Sequence, residues 1–438
     1  MRIVHISTSD IGAGAAIAAY RLHSGLRRAG VASTMFVLQK RSADPSVVPL
    51  QIPRDPLRRA LLRLHRELIR GSQRRYRRSA PDGYEQFRDD RSEYGAAMLR
   101  QLPPGEVITL HWVSGFLDYR RFFAAVGGRV PIVWRLPDLG PLTGGCHYDY
   151  GCGRFEQACG ACPQLGSSDP HDLSAQVLRR KRAALATLPD HMLHIVAPSS
   201  WTAAMARRSA LFGRFPITVI PNGLDVQVFA PTPKAAAREA LGLPAEAPMV
   251  MFVAADVRNR RKGFAQLLEA LDGLSATIPD VLLVSVGHGQ PQVAGGASHR
   301  HLGYIDDDRQ RALVYAAADL FIIPSLQESF GQTVIEAMAC GTPVVGFAAG
   351  GIPDMVRHDR TGLLAPVGDT AALREAISAL LADEPRRLRL GAEARQVALA
   401  EYASEVQVRQ YLALYQALSG GPADKFVSQE RQDIKLFI

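Results

Sequence analysis

The residues best equipped for chemistry lie between Pro324 and Pro343. Two carboxylates, Glu328 and Glu336, stand eight positions apart, one in a loop and one on the helix predicted to follow. Between them Phe330, Gly331, Gln332 and Thr333 supply a glycine-bearing turn where such a helix begins. The run Asp319-Leu320-Phe321-Ile322-Ile323 ahead of it reads as a buried strand, and Gly341-Thr342-Pro343 as a helix stop. A strand, a glycine loop and a helix N-terminus together suit an anion, because free backbone N–H groups and the helix dipole both favour negative charge. Carboxylates accept hydrogen bonds from neutral hydroxyls, such as those of a ribose or a hexose. Phosphate-binding and hydroxyl-binding groups side by side suit a sugar nucleotide. The plainer alternative is a buried βα unit whose glutamates are solvated helix residues.

A second cluster is the basic run Arg258-Asn259-Arg260-Arg261-Lys262, which precedes Gly263 and another predicted helix. Cations and a helix N-terminus can converge there on a phosphate; a solvated basic turn is the alternative. A third is cysteine-rich. Cys146, Cys152, Cys159 and Cys162 fall within one short loop that ends in a Cys-x-x-Cys. In a reducing compartment such a loop points to a closed tetrahedral zinc site with a structural role. Free or redox-active thiols and an iron–sulfur cluster are the other readings. Cys340, on the Glu336 helix, reads as a small buried residue.

The elements that must position these groups follow an α/β pattern, with glycine-punctuated apolar strands alternating with amphipathic helices. The 438 residues, 47% of them hydrophobic, are enough for more than one domain. Ile3 to Ser7 reads as a strand, Gly12-Ala13-Gly14 as a turn, and Ala15 to Ala29 as a helix; no Gly-x-Gly-x-x-Gly fingerprint is completed. Val107 to Trp112 and Pro131 to Leu136 read as inner parallel strands whose ends, at His111 and Asp138, open on a ligand crevice. For His111 a buried, satisfied histidine is the competing reading. Further strands are expected at His194–Ala197, Met249–Ala254, Val281–Gly287, Leu320–Pro324 and Val344–Ala348, with Ile217–Gly223 as the passage to the second domain and a final helical stretch from Leu373 to Leu418.

The net charge of +9 is uneven. Ten arginines crowd residues 54–78, where Leu57, Leu61, Leu64 and Leu68 form one apolar stripe on a basic helix. Such a helix suits an anionic membrane surface; packing of the stripe on its own domain is the alternative. Modest aromatic content and no recognised motif argue against nucleic acid. No stretch approaches the roughly 20 apolar residues of a membrane span, and the N-terminus lacks a signal-peptide layout. A cytoplasmic protein is expected, peripheral at the membrane's inner face if the basic helix binds lipid.

The Glu328–Glu336 spacing resembles the Glu-x7-Glu signature of glycosyltransferase family 4, the retaining enzymes of the two-domain GT-B fold. Arg261-Lys262-Gly263-Phe264, Ile220-Pro221-Asn222-Gly223-Leu224-Asp225 and Gly12-Ala13-Gly14-Ala15-Ala16 resemble its phosphate turn, interdomain segment and N-terminal glycine loop. The resemblance implies two Rossmann-like domains facing a central cleft: residues 1–215 on the acceptor side, carrying the basic insertion (54–78) and the cysteine loop (146–162), and residues 216–418 on the donor side. The final helix would cross back to the first domain, leaving 419–438 as a polar tail. It further implies that Lys262 and Arg261, with Arg258 as another candidate, neutralise the donor phosphates. Glu336 would take the ribose, Glu328 a donor-sugar hydroxyl, and Gly14, Phe330, Gly331, Gln332 and Thr333 would lie along the donor. Asp256 stands where the family usually has a second arginine, and Pro137 where it usually has a histidine ahead of Asp138. His111 is then a candidate for part of that histidine's role, with Asp138 on the acceptor side.

The cysteine arrangement is similar to that of glycosyltransferases of the colanic-acid biosynthesis type. The implied activity is retaining transfer of a hexose from a nucleotide sugar to a lipid-linked or polysaccharide acceptor in bacterial surface polysaccharide assembly, with no catalytic cofactor. A glycosidase-like use of Glu328 with Glu336 fits the spacing less well. A phosphorylase or sugar-nucleotide epimerase on the same fold, and a binding protein built on a degenerate GT-B scaffold, are the competing functions.

Overall fold

A computed structural model of the chain describes residues 1–420 apart from 86, 275–277, 279, 292 and 294–297. The polar tail expected at 419–438 lies outside the described residues from 421 onward.

Two parallel sheets account for the architecture. The first uses β1 (Arg2–Ser9), β2 (Ala32–Gln39), β3 (Val47–Pro49), β4 (Val107–Leu110), β5 (Ile132–Arg135), β6 (Leu193–Ala197) and β7 (Ile217–Val219). Its order is β3-β2-β1-β4-β5-β6-β7. Among these strands run the helices α1 (Gly14–Arg28), α2 (Pro56–Arg74), α3 (Gly95–Gln101), α4 (Tyr119–Val126), α5 (Leu173–Leu185) and α6 (Ser200–Arg208). The second sheet uses β8 (Met249–Asp256), β9 (Leu282–His288), β10 (Ser298–His301), β11 (Leu320–Ile323), β12 (Val344–Phe347) and β13 (Gly362–Ala365), in the order β10-β9-β8-β11-β12-β13. Its helices are α7 (Lys234–Ala240), α8 (Phe264–Asp272), α9 (Asp308–Ala317), α10 (Gln332–Ala339), α11 (Ile352–Met355), α12 (Thr370–Ala382), α13 (Glu384–Glu401) and α14 (Ser404–Leu418). The stretch expected as one helical region from Leu373 is thus three helices, interrupted at Asp383 and at Tyr402–Ala403.

Both sheets are parallel throughout, so each inner strand is covered on both faces and must be apolar along its length. The buried runs Val107–Leu110, Ile132–Arg135, Leu320–Ile323 and Val344–Phe347 meet that demand. Strand order reverses at β1/β4 and again at β8/β11. Loops leaving a sheet at such a reversal diverge, which opens a crevice at the strands' C-terminal ends. The two crevices face each other, which makes the fold GT-B: two Rossmann-like domains across a cleft.

The last helix returns to the first sheet. Val408, Tyr411 and Tyr415 of α14 pack with Ile3, Leu22, Leu26, Val107, Val133 and Val196 in one buried cluster. The Tyr415 hydroxyl and Thr109 Oγ1 share a 2.8 Å hydrogen bond. Gly25 admits this helix, since a Cβ there would lie 2.7 Å from Val408 Cγ2.

Helix α2 begins where Asp55 accepts hydrogen bonds from the Leu57 and Arg58 N–H groups, with Pro56 in the first turn. Arg66 ties it to the domain through Glu93 (2.6 Å) and the Tyr94 hydroxyl (2.9 Å). Its leucine stripe does not pack on that domain: Leu57, Leu61, Leu64 and Leu68 are 75, 65, 59 and 65% exposed.

Candidate functional site

The cleft holds a cavity of about 410 Å³. From the first unit it is lined by Gly14, Ala15, Glu85, Arg88, Trp112, Arg135, Pro137, Asp138, His147 and Tyr148. From the second come Val253 to Asp256, Asn259, Arg261, Lys262, Glu328 and Phe330 to Thr333. A smaller cavity of about 90 Å³ shares Gly14, Gln332 and Thr333 with it and is also lined by Arg311 and Glu336. Lys262, Arg261, Glu328, Asp138, Gly14 and the Phe330–Thr333 turn therefore meet in one place, and Glu336 lies in the neighbouring cavity.

The turn after β8 is tightly specified. Asn259 caps a short 3-10 turn at Arg260–Lys262 by accepting the Arg261 N–H at 3.0 Å. Gly263 then takes φ +74°, where a Cβ would lie 1.7 Å from the Pro324 carbonyl oxygen, so only glycine fits. This directs Lys262 Nζ onto Glu328 Oε2 at 2.5 Å. Arg261 donates to Glu85 Oε1 from Nε (3.0 Å) and Nη2 (2.9 Å), and from Nη1 to the Gln327 carbonyl (2.8 Å). Its guanidinium lies 4.0 Å from the centre of the Tyr148 ring. Burial alone would lower its pKa, but Tyr148, Glu328 and Glu85 hold it above the ordinary arginine value. Burial likewise opposes ionisation of Glu328, and Lys262 and Arg261 overcome it, keeping that carboxyl below its usual range. Arg258 is absent from the cavity wall; it is exposed and bound to Asp256 at 2.8 Å.

Glu336 is 4% exposed and accepts from Arg21 Nη2 of α1 (2.9 Å) and from the Tyr315 hydroxyl (3.0 Å). An arginine of the first unit thus occupies the carboxylate that the sequence resemblance gives to a ribose. Gly331, at φ +103°, starts α10, whose first N–H groups have no helical acceptor. Beside them the Gln332 amide is buried with neither Oε1 nor Nε2 hydrogen-bonded, although it lines both cavities. A buried amide with both ends unmet is an opening for a polar ligand.

His111 is corrected by its position. It is fully buried, bonded to His5 at 2.8 Å, and absent from the cavity lining. Burial, with His5 and Arg135 nearby, drives its pKa well below the ordinary value, as expected for a neutral core histidine. The imidazole beside Asp138 comes instead from His147, whose Nδ1 lies 2.9 Å from Asp138 Oδ2. Burial lowers the His147 pKa, but Asp138 more than reverses this and raises it overall; Asp138 itself is held low against its burial by His147.

The cysteine loop also departs from expectation. Cys146, Cys152, Cys159 and Cys162 are free thiols around one cavity of about 20 Å³. Among the described residues no group of three or more His, Cys, Asp or Glu is placed to hold a metal ion, so the expected four-thiolate zinc centre is not formed. Burial pushes the Cys146 and Cys162 thiols up, and Cys159 to about 11. Cys340 is buried on the α10 side, as expected.

Glu85, Arg88, Trp112, His147 and Tyr148 were not marked by their sequence context. His147 and Tyr148 lay inside the cysteine motif and Trp112 next to His111, so proximity to those features was the only available signal.

Comparison with known proteins places these features in context. The family described as Glycosyl transferases group 1 matches residues 233–397, the second unit. A D-inositol 3-phosphate glycosyltransferase of Xylanimonas cellulosilytica is 37% identical over 41% of this chain and 46% of that protein. A phosphatidyl-myo-inositol mannosyltransferase of Mycobacterium leprae is 34% identical over 46% of this chain and 53% of that protein. The chain thus spans about half the length of these relatives. Among solved structures, a sucrose-phosphate synthase from Thermosynechococcus elongatus aligns with TM-score 0.64 and 23% identity over 95% of this chain and 99% of that one. HepE of Anabaena, in complex with UDP and glucose, aligns with TM-score 0.64 and 18% identity over 96% and 100% of the two chains. WaaG, described as involved in lipopolysaccharide biosynthesis, aligns with TM-score 0.65 and 15% identity over 96% and 100%. These likenesses establish the fold.

The Asp138–His147 contact yields a direct expectation. In Asp138→Asn the raising influence on His147 is lost while burial remains, so its titration midpoint falls below the ordinary value of 6.5. Ring-proton NMR shifts followed against pH read this; an unmoved midpoint would show that Asp138 does not set the charge of His147.

Proposed function

We propose that the chain is a retaining glycosyltransferase that moves a hexose from a nucleotide sugar to a lipid-linked or glycan acceptor in surface polysaccharide assembly. The observation that carries this reading is the convergence of Lys262, Arg261, the open start of α10 and the unmet Gln332 amide on one cavity. The group 1 match over 233–397 supports it for the half of the chain that carries these residues. The UDP and glucose in HepE, on the same fold, suit a cleft of this kind.

In the proposed mechanism the donor diphosphate takes Lys262 and Arg261 from their carboxylates and lies against the α10 N-terminus. Charge on the leaving phosphate grows in the transition state, so these cations act most strongly there. Freed from Lys262, Glu328 accepts from a sugar hydroxyl, and Glu336, released by Arg21, from the ribose. The leaving phosphate takes the acceptor's proton on the same face, which explains retention without an enzyme nucleophile. Asp138 and His147 border the side where the acceptor would enter. The competing reading, a binding protein on this scaffold, draws on the carboxylates that already occupy the cations.

The basic helix gives the acceptor side its proposed location. An exposed leucine face flanked by arginines fits an anionic lipid surface at the inner face of the cytoplasmic membrane.

A panel of UDP-, GDP- and dTDP-sugars, scored for transfer and hydrolysis, tests the activity. Lys262→Ala should lower kcat by about 10²- to 10³-fold with a smaller change in KM. Nucleotide binding without turnover for any donor would favour the binding protein instead. For the membrane, Leu61→Asp with Leu64→Asp should abolish sedimentation with vesicles containing phosphatidylglycerol and leave nucleotide affinity unchanged. Equal sedimentation of variant and parent would remove α2 from the account.

A further inference from the structure

We propose that Arg88 and His147 form a second anion subsite on the first-unit wall of the cleft, for a phosphoryl group carried by the acceptor. The assignment to the acceptor rests on the transferase reading; the anion site itself rests on the unmet donors.

The two cations of the Lys262 turn already have carboxylates. Lys262 is held by Glu328, and Arg261 by Glu85 and Glu328. Arg88 differs. Among the described residues no carboxylate oxygen lies within 4.0 Å of its guanidinium, and its side chain makes no hydrogen bond; its Nε is buried without a partner. Its guanidinium lies over an aromatic face, Trp112, whose ring centre is 5.6 Å away, and Asp138 acts on it from beyond ion-pair distance. Such stacking leaves the outward donors of a guanidinium free for an oxyanion.

His147 borders the same indole, with its ring centre 6.4 Å from that of Trp112. Asp138 accepts at Nδ1, and Nε2 has no hydrogen-bond partner among the described residues. The contact with Asp138 favours the protonated ring, while Arg88 is close enough to oppose it. The guanidinium and the imidazole therefore share one partly buried wall, and the nearby carboxylate is already engaged by His147 and by the Gly140 N–H at 2.8 Å. Arg135 adds to the positive wall: it lines the cavity, its Nη1 is unpartnered, and its other donors go to Asn222, a neutral acceptor. A buried guanidinium donor without an acceptor is costly. A phosphoryl group bound between Arg88 and His147 would supply acceptors for both. This wall belongs to the first unit, whereas the Lys262 turn belongs to the second, so the two can offer separate cations to two anions.

The phosphoryl group could belong to a lipid diphosphate or to a soluble sugar phosphate, and calorimetry on the full chain separates the two. Protein saturated with UDP is titrated with farnesyl diphosphate and, separately, with glucose 1-phosphate. The proposal expects at least one to bind, and Arg88→Gln to weaken that binding by about ten-fold or more with UDP affinity kept. Arg88→Lys should recover part of it. Binding of farnesyl diphosphate alone identifies a lipid-linked acceptor, and of glucose 1-phosphate alone a soluble one. Three results would overturn the subsite: no phosphoryl compound binding the UDP-saturated parent, equal binding by parent and Arg88→Gln, or loss of UDP affinity in Arg88→Gln. If UDP and the other donor nucleotides fail to bind at all, the transferase reading falls. The same titrations without nucleotide then decide whether Arg88 holds an anion.

Discussion

Arg261 is the group on which the cleft depends. Its guanidinium is buried, and a charge in that position is tolerated only when every donor finds an acceptor. Glu85 and Tyr148 of the first unit and Gln327 and Glu328 of the second meet that need together. One side chain thereby joins two independently built sheets. Around it run lesser ties across the same gap: Arg21 to Glu336, Ser199 Oγ to the Ser329 carbonyl at 2.6 Å, and the Ser200 N–H to Asp354 at 2.6 Å. Several of these residues are the ones a donor would use in the proposed reaction. At the Lys262 turn the cations are met by carboxylates, and a diphosphate there would have to replace them.

The rest of the fold serves this arrangement. Each sheet reverses its order once, and the loops at the two reversals carry the cavity residues: Gly14 and Trp112 after β1 and β4, Arg261 and Glu328 after β8 and β11. Helix α14 binds the units on the far side. It takes its N-terminal turn from the second, where the Ser404 N–H donates to the Leu224 carbonyl at 2.8 Å, and buries Tyr411 and Tyr415 against the first. Asn222, in the connecting segment, accepts both hydrogen bonds of buried Arg135.

The donor half was legible because its chemistry is local. Arg261 to Gly263 and Glu328 to Glu336 each lie within a few residues, and the turn geometry that positions them follows from glycines the sequence displays. The inner strands were equally plain, since parallel strands covered on both faces must be apolar throughout. Strand β2 carries a weak signal because Ala32, Ser33 and Thr34 open it with small or polar residues, and β10, Ser-His-Arg-His, lies at a sheet edge with no apolar signal. The acceptor wall was hidden for a different reason. Glu85 meets Arg261 across 176 positions, and no spacing rule reports such a contact. His147 lies inside a cysteine loop whose thiols are the stronger sequence signal, and the strand of His111 ends at the cleft although its ring turns inward to His5.

The central claim is that Glu85 holds Arg261 in reserve for a diphosphate. Glu85→Gln removes that competing charge while Glu328 and the Gln327 carbonyl keep the guanidinium in place. Calorimetric titration of this variant and the parent with UDP tests the claim directly. The account predicts tighter binding in the variant, by about three- to ten-fold, the range of a partly exposed charge pair. Unchanged or weaker affinity would contradict it and leave Arg261 as a structural tie alone.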